Sequence, residues 1–304
     1  MRKSEALNIA LIGAGKFGGY HAGKIKAAQN IAFAGIYDAD MRRAEALAAA
    51  HQVEVFSSPR ALFEQADGVI IASPAPSHFA LAQEALEAGC HVLVEKPLAM
   101  GYADARLLQT LAKSKGKTLQ IGHQERLVCD AIGLFDLPEK PLKITIRREI
   151  CPPQDGRALD VSVIWDLMIH DLDLVHMLLG DAVEVIECQV LSELGGPSDF
   201  ARALMKHGET QIDLRASRLA EHNSRTLQLS FAQGEVHLNF LERSINNHTS
   251  FALGENLAEM VPDPLGSSDV IFFEACRGKP KALMSETAAV LAVRSAEILH
   301  NLAQ

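Results

Sequence analysis

Between Ala6 and Gly122, short apolar runs alternate with segments of helical length, and this alternation limits the fold more than any other feature of the chain. The runs are "ALNIALIG", "IAFAGIYDAD", "EVFSS", "DGVIIASP", "HVLVEKP" and "KTLQIG". Between them lie "KFGGYHAGKIKAA", "MRRAEALAAAHQ", "PRALFEQ", "SHFALAQEALEAG" and "YADARLLQTLAKSKG". Strands that alternate with helices cannot pair as hairpins. They form a parallel sheet covered on both faces, a doubly wound α/β domain over residues 1–122.

The texture changes past Pro141. "LKITIRREI", "VEVIECQVL", "TQIDLRASR", "RTLQLSFA" and "EVHLNFL" alternate apolar and polar residues, the period of strands with one solvated face. Residues 123–304 are therefore read as an α+β domain with a mostly antiparallel open sheet and helices on its other face. Residues 163–179 are its one strongly helical segment before the sheet. A last helix, capped by Ser285 with Glu286 and Thr287 in its first turn, is free to pack back toward the first domain. A length of 304 residues suits two such domains.

Net charge of −9 argues against nucleic acid or an anionic membrane surface as the main partner. The N-terminus has a basic start but runs into a strand without a small-residue cleavage site, and no apolar run reaches membrane-spanning length. The five cysteines (Cys90, Cys129, Cys151, Cys188, Cys276) are scattered and lack C-x-x-C spacing. A cytoplasmic protein without a thiolate metal site is expected.

Gly13, Gly15 and Gly18 form G-x-G-x-x-G between a strand and a helix, with Lys16 and Phe17 inside the turn. The first glycine permits the tight turn, the second lets backbone approach a pyrophosphate, and the third allows close helix–strand packing. Asp38 closes the next strand, where a carboxylate binds the adenosine ribose hydroxyls. The unit is thus read as a dinucleotide-binding Rossmann domain. Asp38 repels a 2′-phosphate and favours NAD, while Arg42 and Arg43 just beyond it leave NADP open.

In "WDLMIHDLDLVH", Asp166, His170 and Asp173 fall at i, i+4 and i+7, one face of a helix. Such a set suits a metal, acid–base chemistry, or satisfied core polar groups. His176 points elsewhere and reads as core.

Three motifs together resemble the glucose–fructose oxidoreductase/inositol dehydrogenase (Gfo/Idh/MocA) family. They are "GAGKFGGYH" ending in His21, "EKPLA" from Glu95 to Ala99, and D-x-x-x-H-x-x-D at Asp166, His170 and Asp173. The resemblance implies an NAD(P)-dependent oxidoreductase acting on CH–OH groups, with no metal. Lys96, Asp166 and His170 would be catalytic beside the nicotinamide, with His170 the base and Lys96 bonded to the reacting oxygen. Glu95 would structure its turn. Ser73, Pro74 and His78 would shape the nicotinamide side of the cofactor site. The family's usual glycine two residues before the histidine is Met168 here. This, with "GHQER" at 122–126, looks like the branch acting on UDP-sugars, in particular the UDP-N-acetylglucosamine 3-dehydrogenases, whose 3-keto product serves an aminotransferase in lipid A biosynthesis. The chain departs from that branch at "RLVCDA", where "RFNPA" is common.

A diphosphate needs guanidinium partners. Arg126 is preferred, with Arg147, Arg148, Arg157 and Arg218 as further candidates, and His123 and Asp173 lining the sugar site. A dehydrogenase of a free sugar or cyclitol, a non-catalytic dinucleotide-binding sensor and a metal-dependent hydrolase are the competing readings. The resemblance also implies a homodimer or homotetramer that pairs through the open sheet.

Overall fold

A computed structural model describes residues 6–153, 160–284 and 286–303. The basic N-terminal residues 1–5, Arg157 and the cap Ser285 lie outside the described residues. The chain divides into two compact units, Met1–Gln124 with Asp263–Val290, and Glu125–Pro262 with Leu291–Gln304.

The first unit runs β1 (Leu7–Ile12), α1 (Lys16–Ala27), β2 (Ile31–Tyr37), α2 (Met41–His51), α3 (Pro59–Phe63), β3 (Gly68–Ile71), α4 (His78–Glu87), β4 (His91–Val94), α5 (Tyr102–Lys115) and β5 (Leu119–Ile121). The strands pair in parallel in the order β2-β1-β3-β4-β5. β1, β3 and β4 lie inside the sheet, so their apolar runs have no solvated face. Ile9, Leu11, Ile70 and Leu93 are fully buried. "EVFSS" forms no strand of this sheet. It is reduced to a single bridge, Val55 to Ile36, because the segment turns directly into α3 under a Ser58 cap and Pro59.

The second unit contains α6 (Glu125–Ala131), β6 (Lys143–Glu149), α7 (Ile169–Leu179), β7 (Glu184–Leu191), β8 (Phe200–His207), β9 (Thr210–Ser217), β10 (Ser224–Phe231), β11 (Gly234–Asn239), β12 (Ser244–Asn247) and α8 (Leu257–Met260). Its sheet has the order β12-β11-β10-β6-β9-β8-β7, antiparallel except for the central β6–β9 pair. One face is apolar, through Ile144, Ile146, Leu214, Leu227 and Leu229. The other is polar and carries the Arg202–Asp213 and Arg215–Glu149 pairs. The sequence reading has no counterpart for β8, whose "FARALMKH" places small Ala201 and Ala203 at the buried positions and so carries a weak period-two signal.

Helix α9 (Pro264–Cys276), read as part of the second domain, packs instead in the first unit. Phe272 and Phe273 join Ile9, Leu11, Ala22, Ile25, Ile70 and Leu93 in one buried cluster. Asp263 caps the helix by accepting from Gly266 N. Helix α10 (Thr287–Leu302) starts in the first unit and ends in the second.

Because Phe272 is fully buried in that cluster, Phe272→Ala should lower the first unit's unfolding free energy by about 3–5 kcal/mol. Denaturant titration measures it; a loss below about 1 kcal/mol would show that α9 contributes little to this core.

Candidate active site

The glycine turn of the first unit is built by close approach. Gly13 has φ +100°, and a Cβ there would stand 2.6 Å from the Ala72 backbone. A Cβ on Gly18 would stand 1.9 Å from Gly13 O. A Cβ on Gly15 would meet no protein atom within 4 Å, so this glycine faces outward from the turn. Gly15 caps α1 without a side-chain bond, and the first turn, which includes Lys16 and Phe17, holds no acidic residue. The first backbone N–H groups of α1 therefore have no side-chain acceptor, a ready donor set for phosphate. Asp38 follows β2; its Oδ2 accepts from Ala14 N at 2.6 Å and its Oδ1 from Asp40 N at 2.8 Å. This ties the turn to the end of β2, and each oxygen keeps a lone pair for a hydroxyl.

Two buried histidines hold the neighbouring turns. The ring nitrogens of His78 lie 2.7 Å from Pro97 O and 2.8 Å from Ser73 O, joining the Ser73–Pro74 turn to the Glu95–Lys96–Pro97 turn. Burial pushes its pKa below the ordinary value while the two carbonyls pull upward, so a neutral ring donates to one carbonyl at a time. His78 is therefore a clamp. His21 on α1 sits between two carboxylates, with Nδ1 2.9 Å from Asp269 Oδ2 and Nε2 3.2 Å from Glu95 Oε1. Burial opposes the imidazolium, but the bonds and charges of Asp269 and Glu95 outweigh it and raise the pKa to about 10. Gln124 adds a bond to Glu95 at 3.3 Å. Gly122 is glycine because a Cβ would stand 2.5 Å from the Glu95 carboxylate. Glu95 is thus fixed from three sides, and partly exposed Lys96 follows it.

In the second unit the segment carrying Asp166 is a π-helical turn, Ile164–Met168, that runs into α7. Ser162 starts it: its carbonyl accepts from both Trp165 N and Asp166 N, and its hydroxyl bonds Ser198. The wider turn and the tight packing of α7 change the expected geometry. Asp166 is 26% exposed and His170 14%. Asp173 does not share their setting. It is fully buried and accepts two bonds from Arg126, Nε to Oδ2 at 2.7 Å and Nη2 to Oδ1.

The pairing overturns two assignments. Arg126, fully buried and bidentate on Asp173, is not a diphosphate ligand, and Asp173 is not a substrate contact. Arg148 is equally committed: Nε bonds Asp171 Oδ1 at 2.9 Å and Nη1 bonds Glu125 Oε1 at 3.0 Å. Buried Arg218 donates to Val161 O at 2.8 Å and lies 3.8 Å from Asp166 Oδ2. Arg147 points to the polar face of the sheet, opposite buried Arg148. The His123 ring is buried, which suits a structural role better than a sugar-lining one. His176 is buried core, bonded to Asp181 O and Ser295 Oγ.

Sequence reading passed over the counter-ions. Glu125 is buried, with Oε2 3.2 Å from His170 Nδ1 and Oε1 3.2 Å from Arg225 Nη1. Burial alone would raise its carboxyl pKa; the charges of His170, Arg148 and Arg225 hold it well below the usual range. Asp171, Asp269 and Arg225 were missed likewise, since no local spacing marks a partner tens of residues away. Among the described residues no cluster of three or more His, Cys, Asp or Glu is arranged to hold a metal ion. Nor is any helix among them long and apolar enough to cross a membrane.

Residues 7–123 match the profile of the oxidoreductase family with an NAD-binding Rossmann fold, GFO_IDH_MocA. A UDP-N-acetylglucosamine 3-dehydrogenase of Acidithiobacillus ferrooxidans is 32% identical over 241 residues, covering 79% of this chain and 76% of that protein. The chain belongs to the Gfo/Idh/MocA oxidoreductase family. The solved structure of that organism's UDP-N-acetylglucosamine 3-dehydrogenase GnnA superposes with TM-score 0.85 at 27% identity, over 98% of this chain and 97% of that one. The fold is also shared with scyllo-inositol dehydrogenase of Lactobacillus casei, solved with NAD(H) and scyllo-inositol, at TM-score 0.82 and 19% identity over 98% and 97% of the two chains. NAD is the cofactor of this fold. The uncapped N-terminus of α1, the open side of Gly15 and the Asp38 carboxylate fit its pyrophosphate and ribose.

His21 gains its proton affinity on folding, from an ordinary 6.5 to about 10. The stability it contributes is complete below about pH 6.5 and is lost as pH rises through about 10. Melting temperature should therefore fall over that window. His21→Gln, which breaks a buried ion pair, should melt lower by the equivalent of about 3–5 kcal/mol near neutral pH and with a flatter profile. Parallel slopes for the two proteins would remove His21 as the source.

Proposed function

We propose that this oxidoreductase oxidises a secondary hydroxyl of a nucleotide-linked sugar, C3 of UDP-N-acetylglucosamine, to the ketone. The observation that carries the chemistry is His170, a partly exposed imidazole held within 3.2 Å of an ionised carboxylate, one turn from Asp166. Removing hydride from a carbinol carbon requires the hydroxyl proton to leave, and an oriented neutral imidazole is suited to take it near neutral pH. NAD, when bound, supplies the hydride acceptor. His170 Nε2 takes the proton, with Nδ1 turned to Glu125. Lys96 donates a hydrogen bond to the reacting oxygen and stabilises its developing negative charge. Asp166, kept near Arg218 at 3.8 Å, accepts from the same or the adjacent hydroxyl.

The sugar-nucleotide assignment is supported by the relative named above and by "GHQER" with Met168. Arg126, Arg148 and Arg218 are occupied by carboxylates and a carbonyl, which removes the expected arginine cluster from its support. Arg225, 38% exposed, is a half-exposed guanidinium beside Glu125. A free-cyclitol substrate needs no such cluster, and this occupancy favours it as the second reading. We place the protein in the cytoplasm as a homodimer or homotetramer paired through the polar sheet face, with the second unit binding the sugar. Neither nucleic acid nor membrane is a partner in this reading.

The test is reduced-nicotinamide absorbance on mixing the protein with NAD and UDP-N-acetylglucosamine, beside free N-acetylglucosamine, glucose and myo-inositol. Turnover should appear with the UDP-sugar and fall at least ~100-fold in His170→Ala and in Lys96→Ala. Turnover with myo-inositol alone would move the assignment to the cyclitol; none with any sugar, despite NAD binding, would sink both.

A further inference from the structure

The carboxylate beside His170 comes from neither its own helix nor the D-x-x-x-H motif. Glu125 opens α6, and its two oxygens are divided. Oε2 lies 3.2 Å from His170 Nδ1, while Oε1 lies 3.0 Å from Arg148 Nη1 and 3.2 Å from Arg225 Nη1. We propose that Glu125 is a positioning residue for the reaction, fixing His170 as the Nδ1–H tautomer so that Nε2 faces the substrate hydroxyl. The proposal rests on His170 being the base.

The geometry supports this in three ways. An ionised carboxylate has acceptors only, so its approach to within 3.2 Å of Nδ1 favours the proton on that nitrogen of the neutral ring and leaves Nε2 deprotonated. Glu125 is itself immobilised, because Arg148 and Arg225 hold its second oxygen and Asp171 holds Arg148 through Nε at 2.9 Å. Glu125, Arg148 and Asp171 at the centre of this chain are buried, where a misaligned bond is costly. Burial by itself would raise the Glu125 pKa; Arg148 and Arg225 pull it down whichever charge His170 carries.

Charged groups among the described residues reach the pair from four elements. On its own helical segment His170 has Asp166, near Arg218, then Asp171 and Asp173, taken by Arg148 and Arg126. From α6 comes Glu125, from β6 Arg148 and from β10 Arg225. Glu125 is thus a carboxylate that reaches the imidazole from a different element. Its charge stabilises the imidazolium that forms as the proton arrives.

The test compares wild type, Glu125→Gln, Glu125→Asp and His170→Ala across pH with NAD and the substrate found active. In wild type, kcat/KM rises with pH as His170 loses its proton. Glu125→Gln removes the charge, so that limb should move to lower pH by about one unit, and plateau kcat should fall about 100-fold or more with KM little changed. Glu125→Asp, which keeps the charge on a shorter arm, should restore the limb and part of kcat. Nitrogen NMR of histidine-labelled wild type, with His170 assigned by His170→Ala, gives a reading that does not depend on a Glu125 variant folding; the Nδ1–H tautomer is expected. An Nε2–H tautomer, or an unmoved limb with unchanged kcat in Glu125→Gln, would overturn the proposal. If His170→Ala retains full activity and the same limb, the reading of His170 as base fails instead.

Discussion

Guanidinium–carboxylate pairing inside the second unit is the constraint on which its helical layer depends. Arg126 and Arg148 are fully enclosed, and each carries a charge that would cost several kcal/mol to bury without a partner. Asp173 and Asp171, two residues apart on α7, supply those partners, and Glu125 supplies a third. The pairs act between elements: α6 to α7 through Arg126–Asp173, and β6 to α7 through Arg148–Asp171. An apolar helix seated on an apolar sheet can rotate or slide at modest cost. One that must bring two carboxylates to two fixed guanidinium forks has a single registry. Set in that registry, α7 and the turn before it leave His170 and Asp166 partly exposed.

The first unit solves a similar problem with one cation. His21, carried by α1 directly after the glycine turn, is charged because Glu95 and Asp269 flank it. It links three segments far apart in sequence: the helix whose N-terminus faces phosphate, the turn that carries Lys96, and α9. The motif residues His21 and Glu95 are therefore one device. The fingerprint glycines and the E-K-P turn, apparently separate sequence signals, share a buried ion pair, so the phosphate-facing turn and the lysine are positioned together.

The two sheet types, parallel and mostly antiparallel, were legible where the periodicity was clean. Parallel strands buried on both faces show as "NIALI" and "GVII", and half-solvated strands as "KITIRRE" and "TLQLSF". β8 was not legible, because two of its three buried positions, Ala201 and Ala203, are alanine. α9 was not picked out in the sequence, and its place in the first unit depends on Phe272 and Phe273 meeting a sheet some two hundred residues earlier in the chain. For the site, the glycine turn and Asp38 follow from local spacing, whereas Lys96, Asp166 and His170 were singled out through the family resemblance. The π-helical turn that carries Asp166 does not follow from spacing, since i, i+4 and i+7 spacing assumes an unbroken α-helix. Asp173 fails for a different reason: it lies beyond that turn, on α7 with His170, and packing seats it against Arg126.

The fate of the arginines bears on specificity. Sequence reading treats every guanidinium near the conserved-looking motifs as available to an anionic substrate, because composition counts charges without pairing them. Three of those side chains are instead consumed by Asp173, Asp171, Glu125, Val161 O and the neighbourhood of Asp166. A guanidinium already satisfied by a buried carboxylate gains little from a phosphate, since binding would have to break one charge-assisted pair to make another and leave a carboxylate unpaired. Recognition of a diphosphate by this chain would then fall to partly exposed cations such as Arg225, whose Nη1 is already shared with Glu125. An anion that drew Arg225 away would change the field on the Glu125 carboxylate, which lies 3.2 Å from His170 Nδ1.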